Sequence, residues 1–237
     1  HHVSRITSTL PTLPVQRPHW LRRAVGRWLR LRHWGRARSA GPVLEWVEGV
    51  PLLVLPGVFN PALLRTGAFL ARAVGQLPLA AGQRVLDLGC GSGVGAVFAA
   101  RRGAQVLATD INPQAVRCAQ INARLNRLGR QIETRPGDWF EPAAGLRFDW
   151  VLFNPPFYRG APRNMADRAW RSEDAPERFA AELADHLAPG GGALLVLSTD
   201  GAPEAFIAAL AARGFSLRPL LREDWWNEVV TAYLTSQ

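Results

Sequence analysis

A carboxylate and three evenly spaced glycines stand near the middle of the chain, in the order Asp87, Gly89, Gly91 and Gly93. Apolar residues surround Asp87, and this short run predicts a buried strand of a parallel sheet. Glycines allow a turn with unusual backbone angles and let a ligand approach the main chain closely. The helix predicted over Val94–Arg101 would direct its free N–H groups back at this turn. A strand, a glycine turn and a helix start together predict a nucleotide-type binding site.

The kind of ligand depends on the residues around those glycines. Residues 91–96 fit the pattern G-x-G-x-x-G/A, which is typical of a dinucleotide site. Asp87 would repel the pyrophosphate of a dinucleotide, and it favours a ligand whose end is cationic and donates hydrogen bonds. S-adenosylmethionine has that chemistry, since it carries an ammonium, a sulfonium and an adenosine. The stretch resembles the first motif of class I S-adenosylmethionine-dependent methyltransferases. This resemblance implies a set of cofactor contacts in and before the turn: Asp87, Gly89, Cys90, Gly91 and Gly93.

Two further acidic residues are expected at the same edge of the sheet. Asp110 ends the next predicted strand, and its spacing from Asp87 is that of an acidic residue that accepts both ribose hydroxyls. Ile111 follows it and joins the predicted cofactor contacts. The alternative is that Asp110 only ends a strand and caps the following helix. Beyond the third strand, the predicted fold would let Asp138 receive the adenine amino group and Trp139 cover the ring.

The tetrapeptide Asn154-Pro155-Pro156-Phe157 indicates the reaction. The side-chain oxygen of Asn154 and the carbonyl of Pro155 can each accept a hydrogen bond from one N–H of an NH2 group. The two prolines restrict the backbone and keep both acceptors fixed, while Phe157 can stack on the flat group. Because the nitrogen lone pair is then directed at the methyl donor, positioning and electrostatics supply most of the catalysis. These four residues are the predicted catalytic residues, and Asn154 is also a predicted cofactor contact.

The tetrapeptide resembles the (Asn/Asp)-Pro-Pro-(Tyr/Phe/Trp) motif of methyltransferases that act on planar amide or amino nitrogens. Together with Gly137–Pro142, it is similar to the HemK-type protein-glutamine methyltransferases, and the similarity runs from about Val50 to the end of the chain. It implies a glutamine side chain as acceptor, typically in a translation release factor. Phe157 stands where that family usually has Tyr, and Phe157 and residues 57–59 resemble the ribosomal-RNA guanine-N2 methyltransferases. A tRNA adenine-N6 enzyme shares the tetrapeptide and stays an alternative.

Strands and helices are predicted to alternate from the glycine turn onward, which indicates an α/β fold with a doubly wound, Rossmann-like sheet. In such a sheet the ligands bind at the carboxyl ends of the strands. The predicted parallel strands cover residues 85–88, 105–109, 131–135, 148–153 and 193–197. The predicted helices cover residues 94–101, 113–128, 175–187 and 204–213. Two more strands, over 215–220 and 228–234, are predicted to complete the seven-stranded sheet as an antiparallel hairpin.

Two smaller elements are predicted before the glycine turn. Residues 43–47 and 52–55 alternate as a short β-hairpin does, with its turn around Gly49-Val50-Pro51. A helix is predicted over residues 62–76, with Asn60 as its N-cap and Pro61 at its first position.

The positive charge of the chain is concentrated before these elements. The chain has 237 residues and a formal net charge of +9, and all 28 of its basic residues are arginines. The first 44 residues hold nine of them and no acid, so the remainder is neutral. We therefore divide the chain into a basic Arg/Trp-rich arm, residues 1–42, and a class I methyltransferase domain, residues 43–237. Residues 20–31 have helical spacing, with a Trp-bearing apolar face and an arginine face.

Three interpretations of the arm stay open. Its apolar face could pack on the domain, or residues 17–38 could contact RNA or the ribosome through Arg and Trp side chains. Binding to a membrane surface is the third. If the arm is the active part, the chain is instead a non-catalytic RNA- or ribosome-binding module.

The cellular location of the protein is predicted from the absence of certain features in its sequence. No stretch approaches the length of apolar residues that crosses a bilayer. Cys90 and Cys118 have neither the spacing of a disulfide framework nor that of a metal site. We therefore expect a cytoplasmic protein without a membrane span or a metal.

Overall fold

The computed structural model describes residues 41–63, 65–156, 158–159, 171–172, 174–225 and 228–236. The predicted helical arm therefore lies outside the described residues, apart from its last two positions. Phe157 and most of the stretch that follows it lie outside them as well.

The described residues form eleven strands and five α-helices, with a 3-10 turn at Glu141–Ala143. In chain order the strands are β1 (Val43–Val47), β2 (Val50–Val54), β3 (Arg84–Leu88), β4 (Gln105–Asp110), β5 (Ile132–Pro136), β6 (Phe148–Phe153), β7 (Tyr158–Arg159), β8 (Arg171–Ser172), β9 (Leu187–Ser198), β10 (Ser216–Trp225) and β11 (Glu228–Ser236). The helices are α1 (Thr66–Gln76), α2 (Val94–Arg101), α3 (Pro113–Leu125), α4 (Ala175–His186) and α5 (Pro203–Ala211).

Seven strands form the central sheet, in the order β10-β11-β9-β6-β3-β4-β5. The five strands from β9 to β5 in this order are parallel, and β11 runs antiparallel to both β9 and β10. The α/β class, the seven-stranded Rossmann-like sheet and its C-terminal antiparallel hairpin are therefore confirmed. The short hairpin predicted before the sheet is also present, as β1 and β2.

The two faces of the sheet bury separate apolar clusters. One cluster packs α1, α2 and α3 against the sheet, and the other packs α4 and α5 against it. Successive side chains of β3 alternate between them, because Val85 belongs to the first cluster and Leu86 and Leu88 to the second. The same alternation places Asp87 on the side of Val85, where α2 begins.

The turn of the first hairpin is tighter than predicted. It is made by Glu48 and Gly49, whose φ values are 46° and 76°, and the register pairs Val47 with Val50. Two consecutive positive φ values are what a two-residue type I′ turn requires. The second strand therefore begins at Val50 rather than Leu52.

The helix predicted from residue 62 begins instead at Thr66. Asn60 Oδ1 accepts hydrogen bonds from the N–H groups of Ala62 and Leu63, at 3.0 and 3.2 Å, so it caps a turn as a predicted N-cap does. That turn does not continue, because Arg65 has a φ of 55°. The expected cap is present, but the prediction of where the helix starts was wrong.

Strand β9 is longer than predicted and starts directly after α4. It pairs Leu187 with Phe148 and then Gly192 with Trp150, so the residues between bulge out of the ladder. A Cβ at Gly191 would lie 2.9–3.0 Å from three backbone oxygens, which explains a glycine inside this bulge. Pro189 and Gly190, which follow α4 closely along the chain, thus belong to the bulge.

Among the described helices there is none that combines the length and the apolar character needed to cross a membrane.

Candidate active site

Three predicted site residues lie side by side at the carboxyl edge of the sheet. The register pairs Leu88 with Thr109 on β4 and with Phe153 on β6. The next residues along these three strands are therefore at one level: Gly89, Asp110 and Asn154. Since neighbouring strands are about 4.8 Å apart, the two polar residues flank Gly89 at a separation of roughly 10 Å.

The glycine turn adopts the backbone angles that only glycine takes readily. Gly89, Gly91 and Gly93 have φ values of 67°, 54° and 80°. A Cβ at Gly93 would lie 2.8 Å from Ala119 Cβ, so α3 packs directly on the turn. A Cβ at Gly89 would meet no atom within 4 Å, which leaves this side of the turn open to a ligand.

Asp87 is buried beneath the turn, with 3% of its surface exposed. Its Oδ2 accepts a hydrogen bond from the N–H of Ala96 at 2.7 Å, in the first turn of α2. Burial raises the pKa of this carboxyl to about 7, with a smaller contribution from the negative charge of Asp110 and in opposition to the hydrogen bond from Ala96, which lowers the pKa. A Cβ at Gly95 would lie 2.8 Å from Asp87 Oδ1, so the carboxylate approaches α2 only because residue 95 is glycine.

Asp110 holds the glycine turn against the second strand. Its Oδ2 accepts from the N–H of Gly91 at 2.9 Å, and its Oδ1 accepts from the N–H of Asn112 at 2.8 Å. Burial raises the pKa of this carboxyl as well, while the two backbone hydrogen bonds lower it. Each carboxylate oxygen has a second lone pair, so both can still accept from a ribose hydroxyl. Ile111 follows and is half-buried.

The alternative role predicted for Asp110, as the cap of the next helix, is filled by a residue two positions later. Asn112 is the N-cap of α3, and its side chain accepts from the N–H of Gln114 at 3.0 Å. Asp110 accepts a hydrogen bond from the N–H of this cap residue and so helps to fix the backbone that leads into the helix.

Asp138 and Trp139 form a small cluster with a residue from α4. Asp138 Oδ2 lies 3.1 Å from Arg178 Nη1, and the Arg178 guanidinium carbon lies 4.9 Å from the centre of the Trp139 ring. Trp139 also meets Phe153 edge to face, with ring centres 5.6 Å apart. The tryptophan therefore has a fixed orientation at the edge of the sheet, held by a cation on one side and an aromatic ring on another.

Asn154 and the two prolines follow β6 directly. Pro155 is buried, and Asn154 and Pro156 are half-buried. In the described part of the chain, Asn154 Oδ1 is enclosed and has no hydrogen-bond partner. A buried acceptor without a partner costs free energy, so it is a position that an N–H donor of a substrate would satisfy.

The cysteine in the glycine turn has no reactive character. Cys90 is 5% exposed, and burial together with the charges of Asp110 and Asp87 raises the pKa of its thiol well above the ordinary value. Its N–H donates to the carbonyl of Thr109 at 2.8 Å and so fixes the turn. Across the described ranges, no group of three or more His, Cys, Asp or Glu side chains is placed to hold a metal ion.

These residues fit S-adenosylmethionine. A ligand with a cationic end would find two carboxyl groups, the buried Asp87 and the half-buried Asp110, and the open side of Gly89 between the strand ends. Trp139 offers a ring beside Phe153, and the side-chain oxygen of Asn154, which has no partner, comes directly after that phenylalanine.

Two contributors to the site have no motif of their own in the sequence. Arg178 comes from α4, 40 residues after Asp138, and the amphipathic pattern of α4 indicates a surface arginine only. Asn122 lies on the buried face of α3, where a polar residue in an apolar pattern was the one available signal.

The sequence was compared with known families and proteins. The methyltransferase small domain family matches residues 49–210. A relative named ribosomal RNA small subunit methyltransferase C, of Alcanivorax borkumensis, is 37% identical over 161 residues, which are 68% of this chain and 46% of the relative. The release factor glutamine methyltransferase of Gloeobacter violaceus is 34% identical over 207 residues, 75% of this chain and 72% of that protein. The chain thus spans about half the length of the first relative.

The fold was compared with solved structures as well. A 16S rRNA N2 methyltransferase of T. thermophilus, in complex with AdoMet and guanosine, superposes with a TM-score of 0.60 at 22% identity. The match covers 83% of this chain and 50% of that one. A methylase of ribosomal protein L11, from Lactobacillus delbrueckii, gives a TM-score of 0.58 over 76% of this chain and 82% of that one, at 21% identity.

Proposed function

The chain belongs to the methyltransferase small domain family and uses S-adenosylmethionine as methyl donor, and from this premise we propose that it methylates a protein glutamine side chain. The acceptor nitrogen would be the amide nitrogen of a glutamine, in a substrate similar to a release factor. Similarity to the Gloeobacter violaceus enzyme over three quarters of this chain supports the proposal. The balance of arginines and acids after residue 44 supports it too, since a domain of zero net charge has little overall electrostatic attraction for the phosphates of RNA.

The observation that carries methyl transfer to a planar NH2 group, whichever molecule supplies that group, is the side-chain oxygen of Asn154, which is buried without a partner. An amide NH2 group has two N–H donors, and Asn154 Oδ1 and the Pro155 carbonyl are the two acceptors that would hold it. Fixing both N–H bonds directs the nitrogen lone pair, so the catalytic residues act by position rather than as bases. Pro156 fixes the backbone of this turn, and Phe157 is proposed to stack on the planar group.

We assign the cofactor to the neighbouring strand ends. The turn residues Gly89, Cys90, Gly91 and Gly93 would contact its methionine part, and Asp87 beneath them would balance its positive charge. Asp110 and Ile111 would hold the ribose, and Asp138 and Trp139 the adenine. The cofactor supplies an activated methyl group on a positively charged sulfur.

A second candidate acceptor is the amino group of an RNA base, guanine N2 or adenine N6. Such a group is also a planar NH2 donor, so it fits the same two acceptors. The relative from Alcanivorax borkumensis favours this candidate. So does Phe59, half-buried beside the turn, whose Cβ lies 3.8 Å from the position of a Cβ at Gly91. In this case we propose that residues 17–38 guide the RNA.

One experiment separates the acceptors. S-adenosylmethionine with a tritiated methyl group is supplied to a cell extract together with the full chain, and the products are split with protease and with ribonuclease. Label released by protease supports a protein glutamine, and label released by ribonuclease supports RNA and rejects the glutamine proposal. The matched control is the Asn154→Ala variant, which should add no more label to either fraction than the extract alone.

We propose that the chain is divided into a catalytic domain and a basic arm, as the charge pattern predicts. Residues 43–237 would carry catalysis in the cytoplasm, and residues 1–42 would form a separate basic arm. Deleting residues 1–40 should then leave binding of S-adenosylhomocysteine unchanged. If the arm contacts RNA, the deletion should also weaken RNA binding with a steep dependence on salt.

A further inference from the structure

One buried side chain on α3 bonds to both the first hairpin and the glycine turn. Asn122 is fully buried, and its Oδ1 accepts from the N–H of Leu53 at 2.6 Å. Its Nδ2 donates to the carbonyl of Leu53 at 2.7 Å and to the carbonyl of Ser92 at 2.8 Å. Leu53 lies in β2 and Ser92 lies between two glycines of the turn. Asn122 therefore pairs with β2 as a neighbouring strand would, and with the turn at the same time.

The rest of α3 holds the same segment by separate contacts. Asn126 Nδ2 donates to the carbonyl of Pro51 at 3.0 Å, and Asn112 Nδ2 donates to the carbonyl of Gly57 at 3.3 Å. Between them, Val54 and Val58 pack in a small apolar cluster with Ala115 and Cys118 of α3. The segment from Pro51 to Val58 is thus fastened along the whole helix.

This segment leads to the glycine turn. Phe59 follows it directly, and its Cβ lies 3.8 Å from the position of a Cβ at Gly91. Asn126 and Asn112 bond to the segment, whereas Asn122 bonds to the segment and to the turn. A change in the position of the Ser92 carbonyl is therefore passed to Leu53 through one group, the side-chain amide of Asn122.

We propose that Asn122 is a positioning residue that couples the first hairpin to the glycine turn, so that cofactor binding and hairpin order stabilise each other. The hairpin, held by Asn122, keeps the turn in its binding conformation. By thermodynamic reciprocity, the cofactor must then favour the ordered hairpin by the same factor. The inference rests on the cofactor assignment and is independent of which acceptor the enzyme uses.

The test measures both directions of this coupling in the full chain. Binding of S-adenosylhomocysteine is measured by titration calorimetry for the wild type, for Asn122→Ala and for the matched control Asn126→Ala. We expect the Kd to rise about tenfold or more for Asn122→Ala, a typical size for coupling between sites, and by no more than about threefold for Asn126→Ala. Equal rises in the two variants, or an unchanged Kd for Asn122→Ala, would overturn the proposal.

Hydrogen exchange gives a readout that does not depend on activity. In the wild type, S-adenosylhomocysteine should slow amide exchange in residues 50–58, and this protection should disappear in Asn122→Ala. Exchange that is unaffected by ligand in the wild type contradicts the coupling, and this arm decides the question if Asn122→Ala does not fold. A wild type that fails to bind S-adenosylhomocysteine would instead defeat the cofactor assignment.

Discussion

The ends of β4 and β6 lie on either side of Gly89, yet their polar groups differ in what they contact. Asp110, after β4, accepts two hydrogen bonds from backbone N–H groups of the protein itself. Asn154, after β6, has an enclosed side-chain oxygen without a partner in the described part of the chain. We propose that the first group serves both the fold and the ligand, whereas the second is kept for a ligand alone.

This difference indicates how the two halves of the site are built. The residues proposed for the cofactor are held in place by the protein itself, because Asp110 accepts from the N–H of Gly91 in the turn and Asp87 accepts from the N–H of Ala96 in α2. At Asn154 we propose that the free-energy cost of the unpaired acceptor is recovered when a substrate N–H binds to it. Substitutions on the two sides should therefore separate stability, cofactor affinity and turnover.

The largest effect is expected at Asn154. Asn154→Ala should lower kcat by about 1,000-fold, because the substrate loses an acceptor that acts on the reacting nitrogen, as when an oxyanion-hole donor is removed. The Kd for S-adenosylhomocysteine should change by less than about threefold, and the free energy of unfolding should fall by less than about 1 kcal/mol, since the lost oxygen was unpaired. Kinetics, calorimetry and urea unfolding check the three values.

A conservative variant sharpens this prediction. Asn154→Asp keeps an oxygen acceptor at the same place and should retain more activity than Asn154→Ala. Turnover that survives in the alanine variant would contradict the role given to Asn154.

The opposite pattern is expected at Asp110. Asp110→Ala removes two hydrogen bonds to a charged acceptor, each worth about 1.5–3 kcal/mol, so it should destabilise the fold and raise the Kd for S-adenosylhomocysteine by roughly 30-fold. The neighbouring Thr109→Val is the control, since the Thr109 hydroxyl is buried and has no partner among the described residues. If both variants bind equally well, Asp110 does not hold the cofactor.

Asp87 should make cofactor affinity depend on pH. Its pKa of about 7 lies above the ordinary value of 3.8, so the buried carboxyl is protonated in the free protein at lower pH. The ammonium group of S-adenosylhomocysteine should bind best to the ionised carboxylate, so this ligand should bind about tenfold more weakly at pH 6 than at pH 8. Asp87→Asn should show a flat profile over this range in calorimetry, and a wild-type profile without slope refutes the role.

The raised pKa of Asp87 also makes the stability of the free protein depend on pH, because protonation and folding are linked. The folded state holds this proton more tightly than the unfolded chain does. The contribution of Asp87 to the free energy of unfolding should therefore be greatest below about pH 4 and be lost as the pH rises through about 7. Comparing wild type with Asp87→Asn in urea across this range isolates it.

The smallest expected effects are on stability, and they test how closely Asp87 and α2 are packed. Gly95→Ala places a Cβ 2.8 Å from Asp87 Oδ1 and should lower the free energy of unfolding by about 1–3 kcal/mol. Gly75→Ala, in α1, meets nothing within 4 Å and should raise it by about 0.5–1 kcal/mol. Equal effects in thermal unfolding would show that the contact between Asp87 and α2 is loose.

The sequence predicts those features that depend on neighbours along the chain. Helix α2 has the predicted bounds, Val94–Arg101, because a glycine turn before it and a charged end after it are local signals. The same holds for β6 and for the position of Asn154 at its end. Each of these rests on spacing within a few residues, which is what sequence patterns record.

Features that depend on contacts between residues far apart in the sequence could not be predicted from the sequence pattern. Asn122 and Leu53 are 69 positions apart, and Arg178 and Asp138 are 40 apart, so neither pair leaves a local signature. The bulge in β9 follows from its register against β6, and the late start of α1 follows from a single positive φ at Arg65. Tertiary contacts decided these positions against local preference.

Strand β11 has a place in the sheet that bears on how the protein is synthesised. It pairs with β9 on one side and with β10 on the other, although it follows both along the chain. While a ribosome is still adding residues 228–236, the edge of β9 has no partner and β10 has nowhere to dock. That edge includes buried apolar residues from Leu194 to Leu197, and a bare apolar edge invites pairing with another nascent chain. Arrival of β11 closes that edge, so the nine residues of this strand end the interval in which the nascent protein is most exposed to aggregation.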